Sequence, residues 1–225
     1  MTEYTVVETE RRTLEIGVLP DGQVVVRAPI GCPPELIETK VKKRSRWIQT
    51  QQRFFAQFRP RMPARQYLSG ETHLYLGKRY RLKIAVGPKP SVRLVGTHFV
   101  VEDSPVPDPN RVATLMDRWY RIKAETLFEQ VLERLWSSHR WAEHPSPPTI
   151  RLRRMTTHWG SLSSSGTLSI NPGLVQTPLE CIEYVLCHEL CHLVHHDHGA
   201  DFFRLLDARM PDWKKRKHKL ELSLI

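Results

Sequence analysis

At 225 residues the chain is long enough to bury a substantial core, as one large domain or two smaller ones. Lysine and arginine outnumber aspartate and glutamate by 34 to 24, which sets up a positive field that favours anionic partners nonspecifically. No run of about 18 apolar residues occurs, and the opening MTEYTVVETE lacks the basic and apolar regions of a signal peptide, so the composition argues for the cytoplasm and against a membrane partner.

Four cysteines, Cys32, Cys181, Cys187 and Cys191, are few for this length, and three of them cluster on one predicted helix. They read as reduced thiols rather than a disulfide framework.

In chain order, "RRTLEIGVLPDGQVVVRAP" predicts two short strands joined by a Pro-Asp-Gly turn. "PPELIETKVKKRSRWIQTQQRFFAQF" follows as a single helix, with Leu36, Ile37, Val41, Ile48, Phe54 and Phe55 as its apolar stripe. "HLYLGKRYRLKIAVG" and "SVRLVGTHFVVE" return to short strands punctuated by Gly and Pro. The Pro-rich "DSPVPDPN" marks a linker or long connection. After it, "RVATLMDRWYRIKAETLFEQVLERLWSSH" predicts a long helix, with apolar residues from Val112 to Leu135 at spacings of three and four. "IRLRRM" and "GTLSIN" read as two strands preceding the motif helix, separated by the Ser-rich turn "SLSSSG". The expected class is α+β: a β-rich N-terminal region with one helix over 1–108, and a second region over 109–225 with its motif helix on a small sheet, or both as one continuous domain.

Five of the eleven histidines fall between His188 and His198. "TPLE" reads as a helix start, with Thr177 able to cap, Pro178 at the first position and Glu180 where a capping box takes a carboxylate. On a helix, His188 and His192 project from one face a turn apart, which lets two imidazoles reach one ion. Glu189 sits beside the first, placed to act on the water that the metal activates; this is the mechanics of H-E-x-x-H. A catalytic zinc takes three protein ligands, and His198, beyond a helix end expected at Asp197 to Gly199, is the choice for the third. His195 and His196 compete; His195 continues the spacing and could line the site. The expected cofactor is one Zn2+ per chain, with other divalent metals able to substitute.

An electrophile opposite the metal would steady a developing oxyanion. His158, Tyr184 and Arg154 are the candidates, against the plainer readings of a packed Tyr184 and a solvated Arg154. Cys187 and Cys191, also four apart, read as small buried hydrophobes. Met210 reads as a core methionine, Trp159 with Gly160 as a packed turn, and Asn171 as a tie between strand end and turn. The basic tail "MPDWKKRKHKLELSLI" reads as a solvated helical face.

On "VVVRAP", "RSRWI", "YLGKRYRLKI", "RWYR", "HWGSLSSSGTLSIN", "IEYVLCHELCHLVHHDHGADFF" and the late "MPDW", the chain resembles the YgjP-like metal-dependent hydrolase family, related to SprT-like and WLM metallopeptidases. The resemblance runs from about residue 12 onward. It implies a zincin-like catalytic half with His188, His192 and His198 as ligands and Glu189 as base. Members commonly carry Arg before "WGS" and Cys after it, where this chain has His158 and Leu162. The family is named for peptidase activity, and nucleotide pyrophosphate hydrolysis has been attached to it as well.

The leading expectation is a zinc-dependent hydrolase of metallopeptidase type, with a peptide lying along an exposed strand edge near 167–171. The alternatives are a nucleoside triphosphate pyrophosphohydrolase using the same metal, and a DNA-associated zinc-binding module. An anionic or peptide substrate, a nucleotide and nucleic acid are all compatible with the basic surface.

Overall fold

A computed structural model describes residues 3–10, 13–19, 22–56, 65–139, 141, 145–155 and 158–223. Pro20 and Asp21 of the expected first turn, the side chains of Phe54 and Phe55, and the end of the expected first helix at 57–58 lie outside the described residues. The described residues form six α-helices and three small sheets, and the protein is α+β. Among them no helix is long and apolar enough to cross a membrane.

The chain divides into two compact units, Met1–Pro63 and Ala64–Leu224. In the first, β1 (Thr5–Thr9), β2 (Glu15–Val18) and β3 (Val24–Pro29) form a sheet in the order β1-β3-β2, with β3 parallel to β1 and antiparallel to β2. β1 escaped the sequence reading. Alternate residues of β3, Val24, Val26 and Ala28, are buried with Ile37, Val41 and Ile48 from two helices, α1 (Pro34–Lys43) and α2 (Ser45–Ala56). The expected single helix is thus broken at Arg44, and Leu36 faces solvent rather than the core.

The second unit opens with β4 (Thr72–Tyr75), β5 (Lys78–Val86), β6 (Ser91–Val95) and β7 (His98–Asp103), ordered β4-β5-β7-β6. α3 (Pro109–Ser138) begins where Asp108 caps it, the Asp108 carboxylate accepting from the Arg111 N–H at 2.8 Å. α3 packs on β7 and also on β8 (Thr149–Leu152). Ile122, which falls within the expected apolar stripe, is exposed, and Phe128 is buried in the core. β8 joins β9 (Gly160–Leu162) and β10 (Thr167–Ile170) in a sheet ordered β8-β10-β9.

One core holds this unit together. Leu82, Phe99 and Val101 of the first sheet pack with Met116 and Phe128 of α3, Leu168 and Ile170 of β10, and Ile182, Leu186 and Leu190 of α4 (Leu179–Cys191). Each such side chain contributes roughly 1.5–3 kcal/mol by burial. The boundary read at 108/109 falls inside this core, because the Phe99 ring sits edge-on to Trp119 at 4.9 Å across the Pro-rich connection.

Two features place α4. Leu76 and Gly77, with φ of 49° and 75°, make the two-residue turn between β4 and β5. Their N–H groups donate to Val175 O and Gln176 O in a short 3-10 turn, Pro172–Gln176, just ahead of α4. A Cβ on Gly77 would come within 2.7 Å of Pro178 Cγ, so only glycine lets the hairpin approach this closely. The expected capping box does not form: Thr177 is buried and its hydroxyl donates to Leu174 O, while Glu180 pairs with Lys219. α5 (Ala200–Arg209), closed by the buried Met210, and α6 (Trp213–Leu222) pack against α4.

Candidate metal centre

α4 turns Ile182, Leu186 and Leu190 into the core, which leaves His188 and Glu189 near its C-terminal end, facing the space beside β9. The helix stops at Cys191, earlier than expected, and His192 is its cap, still with helical backbone (φ −69°, ψ −13°). The His188 and His192 rings therefore still stand a turn apart, 5.1 Å between centroids. The His192 Nδ1 lies 3.0 Å from the His195 carbonyl oxygen. A carbonyl only accepts, so Nδ1 is the donor here and Nε2 is the ring nitrogen left to face an ion.

The chain then folds back and brings His198 Nε2 to 3.0 Å from His188 Nε2. One ligand atom from each of His188, His192 and His198 lies within 4.8 Å of the others. Ligand atoms of a tetrahedral zinc stand about 3.3 Å apart, given bonds of about 2.0 Å, so the three imidazoles fit such an ion with small adjustments. Burial, then the neighbouring His192, His198 and Lys217, pushes His188 down to about 3. Burial likewise lowers His198, with His192 and Lys217 adding to it. Neutral imidazoles are what a metal needs.

All three rings rest on one residue. The Phe202 ring, fully buried at the start of α5, lies 5.0 Å from His188, 4.7 Å from His192 and 4.8 Å from His198.

Glu189 belongs to the same turn but not to the ligand cluster. It is only 7% exposed, and burial pushes its carboxyl up to about 7, against the pull of a hydrogen bond from the Leu162 backbone N–H. β9 passes over it so closely that a Cβ on Gly160 would stand 2.7 Å from Glu189 Cγ and 2.8 Å from Oε1. The glycine of "HWGS" is what admits the carboxylate here.

A cleft of about 580 Å³ opens over the three histidines and Glu189, with Arg153, Arg154, His158 and Ser161 on its walls. A second, of about 240 Å³, borders His188 and Glu189 through Trp159, Tyr184, Lys217 and Leu220. His158 lines both. Arg154 reaches the first cleft while paired with Asp117. Tyr184 is nearly buried, stacks on Trp213 at 6.3 Å and reaches only the second cleft. His195 supplies its carbonyl to His192, and its ring is on neither wall. His196 is exposed.

Cys187 and Cys191 are free and buried. The Cys187 thiol, then burial, holds Cys191 far above the ordinary thiol range, which disfavours a thiolate ligand.

The sequence reading placed the strand edge for a peptide at 167–171, but β10 is the central strand, hydrogen-bonded to β8 and β9 on its two sides. The edge at the cleft is β9, whose three residues are too few to show alternation. Phe202 and Lys217 were also missed, and Gly160, read with Trp159 as a packed turn, instead opens β9 against Glu189. Phe202 alone left a signal, four residues after His198 on the next helix.

An α+β protein with three histidines converging so that they could hold one metal ion is the class this geometry defines. The sequence model of the family described as "YgjP-like, metallopeptidase domain" matches residues 12–223, and the chain belongs to that family. Among solved structures, the metallopeptidase zymogen of Pyrococcus abyssi abylysin is 24% identical, over 43% of this chain and 87% of that one, at a TM-score of 0.33. The metallopeptidase zymogen of Methanocaldococcus jannaschii jannalysin is 21% identical, over 45% and 97%, at 0.36. No curated protein matches the chain.

Proposed function

We propose that the protein is a metal-dependent peptidase in which His188, His192 and His198 hold one divalent ion, zinc by the chemistry of an all-imidazole set, and Glu189 is the general base. The observation that carries this reading is the convergence of three imidazole nitrogens within 4.8 Å beside a buried carboxylate that is not one of them. When bound, the metal lowers the pKa of water and polarises a carbonyl oxygen. Glu189 takes the proton of the attacking water at its carboxylate and delivers it to the leaving amine. Its burial and single backbone hydrogen bond keep it aimed into the cleft. A peptide strand added along the β9 edge would present its carbonyl there. The free thiols support a reducing, cytoplasmic setting.

The test is metal content and casein cleavage, measured side by side for the wild type and Glu189→Gln. The expected result is one ion per chain in both and a loss of turnover of about 10²–10⁴ in the variant. Equal turnover in the two, or no ion in the wild type, would sink the proposal. Hydrolysis of nucleoside triphosphates that depends on Glu189, without peptide cleavage, would replace it with the nucleotide reading.

A further inference from the structure

A third cavity, of about 400 Å³, shares Arg154 and Met155 as walls with the cleft over the histidines. Its other walls include Arg65, Tyr67, Tyr120 and Gln176. Three observations set it apart from an ordinary surface hollow.

The first is charge. Arg154 is paired with Asp117, whereas the half-buried Arg65 donates from Nη2 to the neutral Gln176 Oε1 at 2.6 Å. Among the described residues no carboxylate lies within ion-pair reach of Arg65. Among the lining side chains two guanidiniums face one carboxylate, and the nearby Glu71 carboxylate is taken up by backbone N–H groups rather than by an ion pair with Arg65, so this half-buried guanidinium can still accept an anionic partner.

The second is strain. Tyr67 has φ of 55°, a left-handed backbone that a residue with a bulky ring rarely adopts. The Glu71 carboxylate holds it there by accepting from the Gln66 N–H at 3.1 Å and the Tyr67 N–H at 2.5 Å. These two bonds fix the Tyr67 ring as a wall of the cavity.

The third is rigidity. Tyr120 is nearly buried and its hydroxyl donates to Leu74 O at 2.8 Å. Asn171 donates to Met155 O at 2.7 Å, fixing the wall that the two cavities share.

We propose that this cavity takes a carboxylate of the peptide substrate, either its C-terminus or an acidic side chain, with Arg65 as the partner and Tyr67 and Tyr120 flanking it. The proposal rests on the peptidase reading and deepens it: Arg65 is a specificity-determining residue, and the preferred substrates are acidic at one end. One guanidinium outside any ion pair among the described residues matches a singly charged carboxylate, while Asp117 on the wall and Glu71 close by repel a doubly charged phosphate. The guanidinium fork also suits a carboxylate's two oxygens.

The test uses the metal-loaded full chain and peptides of one core sequence, ending as free acid or amide and carrying Glu or Gln at successive positions. Removing the carboxylate that reaches the cavity is expected to lower kcat/KM about tenfold or more, the size of a hydrogen bond to a charged group. Loss on amidation identifies the C-terminus as the source, and loss at one Glu position identifies a side chain. At equal metal content, Arg65→Gln should shrink that discrimination to within about twofold, and Arg65→Lys should keep part of it. Equal handling of acidic and neutral peptides by the wild type overturns the proposal while leaving the peptidase reading intact, as does discrimination that survives in Arg65→Gln. Tighter inhibition by inorganic phosphate than by acetate, lost in Arg65→Gln, also overturns the carboxylate assignment. If no peptide of any charge is cleaved, the peptidase reading fails instead. Fluorescence anisotropy of the same peptides on Glu189→Gln then shows whether the cavity discriminates at all.

Discussion

Phe202 supports three histidines at once. With its ring about 5 Å from each of the three imidazole centroids, truncation leaves a cavity beneath the proposed ion site as well as removing apolar burial. Phe202→Ala is expected to cost about 3–5 kcal/mol in urea unfolding and to weaken metal retention in a chelator competition; unchanged retention would deny the ring its supporting role. Gly160 works from the opposite side. Gly160→Ala forces Glu189 to move, and because misplacing a reacting group by about 1 Å can cost roughly 100-fold, turnover should fall by about that factor while the metal stays bound. Equal loss of both would mean that the strand itself had been displaced. The four-residue spacing of His188 and His192 was readable because helix geometry alone puts them together. Gly160 and Lys217 act through space from other elements, and spacing within one segment carries no record of that; Phe202 left only its four-residue offset from His198.

At the scale of elements, α6 is tied to α4 by charge. Arg216 bonds Glu183 and, at 2.9 Å, Asp212, and Lys219 pairs with Glu180. The tail read as a solvated basic face thus spends two of its cations on the helix that carries the histidines, while Lys217 borders the second cleft. Arg216 is largely covered, so Arg216→Ala should cost about 1–2 kcal/mol, more than an open surface pair. A shifted urea midpoint with unchanged slope is the expected signature, and no shift would mean that the pairs are decorative. α3 was legible to within two residues from its apolar spacing, although the Asp108 cap and Pro109 that open it were read as part of the linker. The break at Arg44 was not, since both sides of it are good helix formers. β9 was not either, since three residues with a glycine among them look like a turn.

For the whole molecule, the α+β class followed from periodicities, but the division of the chain did not. Prolines between 103 and 110 look like a linker, yet Phe99 packs on Trp119 and Tyr120 across them; a composition break says nothing about which surfaces meet. The large core and all three histidines belong to Ala64–Leu224. A fragment beginning at Ala64 is therefore expected to unfold cooperatively and to bind one metal ion per chain. A fragment that shows no unfolding transition, or takes up no metal, would show that the first unit is required.

The contact between the tip of the β4–β5 hairpin and the 3-10 turn before α4 has a kinetic meaning. It joins residues about a hundred positions apart, and such closures lag behind helix formation, which takes microseconds or less. α4 can be helical early in refolding, but its first turn finds its seat on Gly77 only once the hairpin has arrived. Competence to capture metal should then appear with the last cooperative phase of refolding rather than with the early rise in helical signal, and a stopped-flow metal indicator followed alongside circular dichroism would separate the two in time.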